Sequence, residues 1–381
     1  MNKLIIFTIT MLTLTNANAQ KLIAPYTIVS SEYKTQGAEL VIQNMPKVRS
    51  QDSVGLCYAF SSATLLQKYY CDLHQSITDC SGLPDKEIIS PVVLTGLAKP
   101  LSTASAKAVY FPKSTDSIAG GDSSNLLKNA TKTKKFCAES NFPFDKFVGM
   151  NRFSNMDRVA AAKAMEKLAD DNITNLKNIY DQRKTEAVAI EECTECLNAV
   201  SAVMPVNVNN RVQPVDKGLA KKTFQEFLFQ SYFGGCDDIL GVSDNITYGE
   251  YPEVDIVVDV QKYQADPNHP VKVAYMNQIK KVLKNKVPLQ TSFCGQKIEG
   301  DDKKCVGYHA AVISGYKTVC KPNGQCIEML KIHNSYGAEW QEKYNDGWVV
   351  ANDILNSIAG ITEIQKIEHS SLSWITDGPL K

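Results

Sequence analysis

From Ala59 to Tyr70 the apolar residues fall at Ala59, Phe60, Ala63, Leu66 and Tyr70, the i, i+3, i+4, i+7 recurrence of a helix with one buried face. Gly55 supplies the turn before it. A second helix is expected after Gly120-Gly121-Asp122-Ser123, where paired glycines and a capping Asp or Ser open the run Asn125-Leu126-Leu127. Ala160 to Leu168, Ile173 to Tyr180 and Ala187 to Val200 combine helical spacing with high charge, and Phe224 to Phe233 is a further amphipathic candidate. A helix over Met276 to Lys284 precedes a change of pattern. Val287 to Phe293 reads as a strand, and Val306 to Tyr316 as a largely buried strand carrying one imidazole, His309. Pro322-Asn323-Gly324 turns a hairpin between Cys320 and Cys326, Ile327 to His333 returns, and Asp346 to Ala351 supplies another strand. Helices first and closely spaced antiparallel strands last predict an α+β fold with a helical lobe and a barrel-like β lobe.

Residues 1 to 19 break this pattern. Lys3 is a minimal basic start, Leu4 to Leu14 a short apolar run, and Ala17-Asn18-Ala19 an A-x-A cleavage signature, which together predict an export signal and a mature terminus at Gln20. The run is too short to span a bilayer, so no membrane association is expected after signal removal. The expected division is a signal over 1–19, an N-terminal segment and helical part over 20–145, a further helical stretch over 146–265 and a strand-rich part over 266–381.

Composition narrows the function. The chain has 381 residues, with 41 basic and 41 acidic side chains, and this balance gives no support for nucleic acid binding. Eleven cysteines are many for a reducing compartment. Leaving out Cys57, the other ten form an even set compatible with five bridges, and proximity favours Cys71 with Cys80, Cys294 with Cys305, and Cys320 with Cys326. Cys193-Thr-Glu-Cys196 could instead ligate zinc, but no second C-x-x-C or His pair lies at usable spacing, so neither metal nor cofactor is expected.

Cys57 stands apart because it enters the first turn of the central helix, where unpaired N–H groups and the macrodipole favour a thiolate. Six residues earlier, Gln51 offers a side-chain N–H that could join the Cys57 backbone N–H in holding an oxyanion.

These residues resemble the active-site segment of papain-like cysteine peptidases, Gln-x-x-Cys-Gly-x-Cys-Trp-Ala-Phe, with Gln51, Gly55, Cys57, Ala59 and Phe60 matching. Val54 stands where the family has a half-cystine, and Tyr58 replaces its Trp. Further on, Gly307, His309, Ala310, Gly315 and Tyr316 match the family's histidine strand, and Asn334, Ser335 and Gly337 its Asn-Ser-Trp-Gly segment, with Tyr336 for Trp. The resemblance covers roughly 35–145 and 265–365, and it implies that 146–265 is a helical insertion between a helical lobe and a β lobe. It implies a two-lobed fold in which Cys57 attacks a peptide carbonyl as a thiolate, His309 is its ion-pair partner and later the acid, Asn334 orients the imidazole, and Gln51 stabilises the oxyanion. It also implies that Gly120 and Gly121 pair with an extended substrate, that Asp122 and Ser123 form a polar pocket wall, and that Tyr308 borders the cleft. Asp122 could equally cap the following helix. His333 adjoins Asn334, and strand alternation would send the two to opposite faces; His74, His269 and His369 read as surface residues.

The leading expectation is an exported thiol endopeptidase acting on peptide or protein. The alternatives are Cys-His acyl transfer or amide hydrolysis on a non-peptide substrate, and a non-catalytic binding protein. Oligomeric state is not written in the residues.

Overall fold

The computed structural model describes residues 22–23, 26–51, 55–97, 122–147, 160, 164, 174, 177–183, 212–222, 224, 227, 230, 236, 238–252, 254–257, 260–298, 301–361 and 366–380. The signal-like stretch 1–19, Gly120, Gly121, Cys193 and Cys196 lie outside the described residues.

The architecture is α+β, organised on an eight-stranded antiparallel sheet. Its strands are β1 (Leu22–Ile23), β2 (Lys34–Val41), β3 (Thr247–Tyr251), β4 (Leu289–Ile298), β5 (Asp301–Cys320), β6 (Cys326–His333), β7 (Trp348–Val350) and β8 (Leu372–Thr376). They run in the order β7-β6-β5-β4-β8-β3, with β1 on β4 and β2 on β5. The two longest, β4 and β5, pair from Leu289↔Ile313 to Phe293↔His309 before the register slips beyond Cys294.

Alternation along β5 shows why this sheet divides the molecule. Ala310 and Val312 belong to one hydrophobic core and Ala311 and Ile313 to the other, so successive side chains feed opposite faces. One core holds helix α1 (Cys57–Leu73) and helix α2 (Ser123–Thr133); the other holds helix α3 (Pro270–Lys284) and helix α4 (Ala351–Ile358).

Helix α1 is buried on nearly every side, where its sequence predicts one buried face. Ser61, Ser62, Gln67 and Lys68 are buried with the apolar residues because each has a local partner. Ser61 Oγ donates to the Tyr58 carbonyl (3.1 Å), Ser62 Oγ to Gln290 Oε1 (3.1 Å), and Gln67 Nε2 to the Glu87 carbonyl (2.9 Å). Lys68 pairs with Asp72. Buried polar groups with partners avoid the desolvation penalty of about 1–3 kcal/mol that an unmet group carries, which lets the helix sit as a wedge between α2 and the sheet.

Among the described residues four disulfides join Cys71 to Cys80, Cys137 to Cys236, Cys294 to Cys305 and Cys320 to Cys326, and Cys57 is free. Such usage points to an oxidising, extracellular type of compartment. Among the described residues no helix is long and apolar enough to cross a membrane.

The stretch assigned by sequence to a helical insertion ends differently from that expectation. Ile239–Gly241 pairs with Lys135–Cys137, β3 joins the main sheet beside β8, and Val254–Val257 pairs with Lys366–His369. Ile239–Gly241, Thr247–Tyr251 and Val254–Val257 are therefore strands, tied to the body of the protein by backbone hydrogen bonds, and the Cys137–Cys236 bridge adds a covalent link nearby. Of the earlier part, Tyr180, Val215, Phe224 and Phe227 are buried in the same core as α1.

Candidate active site

Helix α1 begins at Cys57, with Leu56 at its N-cap and no side-chain cap bond, so the first-turn N–H groups are not taken by a capping side chain. The groups that stabilise a charge on the Cys57 sulfur are the backbone N–H groups of Ala310, Tyr58 and Cys57 itself. Burial outweighs them and pushes the thiol above its ordinary value. The sequence predicts a thiolate paired with an imidazolium; the enclosed arrangement favours a neutral thiol, and His309 is not among the groups stabilising its charge.

His309 sits on β5 opposite Phe293, 2 % exposed. Its Nε2 bonds Asn334 Oδ1 at 2.6 Å, the shared proton belonging to the ring because an amide oxygen only accepts. Nδ1 is thereby the nitrogen left with a lone pair. Tyr336 stacks on the imidazole at 4.1 Å with 21° between the planes, and Phe293 meets its edge at 5.7 Å. Burial lowers the His309 pKa to about 4, against a smaller upward pull from the Asn334 bond.

Asn334 follows β6 directly, in the turn that also places Ser335 and Tyr336. Ser50 and Tyr336 form an isolated antiparallel bridge, Gln51 N–H donates to the Ser335 carbonyl at 2.8 Å, and Ser335 Oγ donates to Gln51 Oε1 at 2.5 Å. One short turn thus carries the partner of His309 and fixes the polarity of the Gln51 amide, with Nε2 as the donor on its other side. Gln51 is buried. Gly295 permits the close packing here, since a Cβ at that position would come within 2.8 Å of His309 Cβ and 3.2 Å of the Tyr336 hydroxyl. Neither Gly295 nor the Ser335 role is readable from sequence, since both depend on contacts across the sheet.

Tyr308 is 61 % exposed, directly before His309 and opposite Cys294 of the Cys294–Cys305 bridge. Asp122 is the N-cap of α2: its Oδ1 accepts from the backbone N–H groups of Ser124 (2.9 Å) and Asn125 (3.1 Å), and Oδ2 from Asn125 Nδ2 (2.5 Å). Both oxygens accept bonds within the first turn, so the capping geometry expected as the alternative for Asp122 is present. Ser123 is buried and turned to the interior, its carbonyl accepting from Gln290 Nε2 at 2.8 Å and its hydroxyl 3.5 Å from Ser292.

The remaining histidines divide. His269 caps α3, its Nδ1 accepting from the Val271 N–H at 3.4 Å, and His74 packs on Tyr70; the side chain of His369 lies outside the described residues. His333 is half-buried with its Nε2 shut away from solvent, and with Asn334 it lines one small cavity. β6 ends at His333, so Asn334 lies in the following turn, beyond the reach of strand alternation.

No protein-family model matches the sequence, and comparison with curated proteins finds no match. Among solved structures the chain is similar to SERA5E from Plasmodium falciparum, at 14 % identity over 93 % of this chain and 99 % of that one, with a TM-score of 0.38. A high-resolution structure of SERA5E gives 14 % identity over 90 % and 94 %, also at 0.38. The SERA5 proenzyme from the same organism gives 13 % identity over 90 % and 65 %, at 0.37.

Proposed function

We propose that the protein is an exported cysteine peptidase, with Cys57 as nucleophile, His309 as general base and acid, Asn334 as the group orienting the imidazole, and Gln51 in the oxyanion hole. The observation that carries this reading is the 2.6 Å bond from His309 Nε2–H to Asn334 Oδ1, beside a free cysteine whose sulfur lies against the Ala310 backbone. With Nε2–H held, Nδ1 accepts the thiol proton as sulfur attacks the peptide carbonyl. Burial disfavours a resting ion pair, so the proton transfer accompanies attack in place of preceding it. The carbonyl oxygen takes up the negative charge, which the Cys57 backbone N–H and Gln51 Nε2 are suited to stabilise. As the C–N bond breaks, His309 returns the proton to the departing amine. Water then hydrolyses the thioester, with His309 again acting as base, and restores the thiol.

The test is labelling with an irreversible thiol-directed peptide epoxide, followed by mapping of the modified residue and assay of Cys57→Ala on a peptide library. The expected result is modification at Cys57 alone and loss of cleavage in the variant. Cleavage at the parent rate by Cys57→Ala would refute the mechanism.

A further inference from the structure

The cavity behind the Asn334 amide has a volume of about 10 Å³ and is walled by α1, β5, Arg49 and the residues His333 to Ser335. That is about the size of one water. Most of its polar lining is engaged. Ser61 and Thr64 hydroxyls donate to the Tyr58 and Phe60 carbonyls, Ser335 donates to Gln51, and Arg49 Nη2 pairs with Glu139 at 2.8 Å. Two lining side chains keep a buried atom with no protein partner, Asn334 Nδ2 and His333 Nε2. They are complementary, because the amide nitrogen only donates. A neutral His333 ring with its proton on Nδ1 presents a lone pair at Nε2, the tautomer that complements the unpartnered Asn334 Nδ2–H.

We infer that His333 is a positioning residue for the His309–Asn334 pair, acting through one water in this cavity that accepts from Asn334 Nδ2 and donates to His333 Nε2. This rests on the peptidase reading for its consequence, though not for its geometry. An Asn amide has two nearly isosteric orientations, and only one presents Oδ1 to His309. In the flipped orientation Nδ2 would face Nε2–H, donor against donor, and the ring would answer by moving its proton to Nδ1, which removes the base. Arg49 also lines the cavity but offers donors only, so it cannot receive the proton that Nδ2 sends inward. The hydroxyls of Ser61, Thr64 and Ser335 already have a partner, so among the unpartnered buried side-chain atoms of the lining His333 Nε2 is the one able to accept.

The experiment uses the whole mature chain and compares the parent with His333→Phe, which removes the acceptor, and His333→Gln, which restores one. At high resolution the parent is expected to show one water within hydrogen-bonding distance of both Asn334 Nδ2 and His333 Nε2. His333→Phe is expected to slow alkylation of Cys57 by iodoacetamide near neutral pH roughly ten-fold, the worth of about one well-placed hydrogen bond. It should lower kcat by the same factor without changing KM, and His333→Gln should recover most of both. An unoccupied cavity, or a protein group accepting from Nδ2, overturns the inference, and so does an equal effect of the two substitutions. If His333→Phe does not fold, the water in the parent and the alkylation rate of His333→Gln decide. Presence of the water and the alkylation loss in a protein that cleaves no peptide would refute the peptidase reading and leave this one standing.

Discussion

The two sides of the candidate site are built on different physical terms. On the sheet side, His309 is specified by side chains: Asn334 holds Nε2, Tyr336 covers one ring face, Phe293 meets an edge, and Gly295 makes room. On the helix side, the Cys57 sulfur meets backbone donors, at the start of α1 and through the N–H groups of Ala310, Tyr58 and Cys57. A side-chain cage fixes a tautomer and a direction; a backbone cradle fixes a position and is indifferent to which small side chain occupies it. Substitution at Cys57 should therefore remove chemistry and spare structure, whereas substitution around His309 should disturb both.

The largest expected effect follows directly. Cys57→Ala should abolish peptide cleavage, because nothing else can form the acyl intermediate, while the thermal midpoint stays within a few degrees of the parent. His309→Ala should cost on the order of 10²- to 10⁴-fold in kcat and also lower the midpoint, since it empties a packed position between Tyr336 and Phe293. Calorimetry on the two variants separates the sides. Equal destabilisation by both would break the comparison.

What could be read in advance follows the same division. The Cys57 helix and the His309 strand were legible because their apolar periods are long and local, and the bridges Cys71–Cys80, Cys294–Cys305 and Cys320–Cys326 because their sequence separations are only 9, 11 and 6 residues. Cys137–Cys236, separated by 99 residues, depends on the pairing of Lys135–Cys137 with Ile239–Gly241, which no local pattern announces. Strand β3, Thr-Tyr-Gly-Glu-Tyr, was hidden for a different reason. Gly249 interrupts its alternation because the Trp374 indole from β8 occupies the space, a Cβ there meeting Nε1 at 2.2 Å.

Next in size is a reduction on the oxyanion side. Gln51→Ala should lower kcat on the order of 10²- to 10³-fold if its Nε2 supports the developing charge. Ser335→Ala removes only the bond that fixes the amide, worth about 1 kcal/mol, and should cost roughly five-fold. A Ser335 variant as impaired as Gln51→Ala would mean that the turn, and not the amide, is the active element.

Acid separates the buried imidazoles from the rest of the surface. His309 and His333 each have a folded pKa near 4 against an ordinary 6.5, in both cases chiefly through burial; for His333, Lys331 also lowers it, while Asp346 and the Lys47 backbone raise it. Because the folded state holds each ring neutral, their contribution is complete above pH 6.5 and is lost as pH falls through about 4, where the unfolded chain has already taken up both protons. The drop is on the order of 3 kcal/mol for each ring. Denaturant titrations between pH 7 and 4 should show a steep loss of stability that His333→Gln makes shallower. An unchanged slope in that variant would mean that His333 is not buried neutral.

The smallest effect is expected at Asp122, and it bears on which wall of the cleft chooses substrate. The resemblance to papain-like peptidases places this carboxylate where it would favour a basic side chain before the cleaved bond, yet both its oxygens accept bonds within the first turn of α2. A carboxylate so engaged has little left to offer a ligand, and its exposed position means that a ligand would have to compete with water as well as with the cap. Asp122→Ala should therefore cost about 1 kcal/mol of stability, the usual worth of an N-cap, and leave the ranking of a substrate panel varied only at that side chain unchanged. Asp122→Asn keeps an acceptor and should retain most of the stability without the charge. If instead Asp122→Asn and Asp122→Ala both lose a preference for Arg over Leu while Asp122→Asn keeps its melting temperature, charge at this position selects substrate and the cap is incidental.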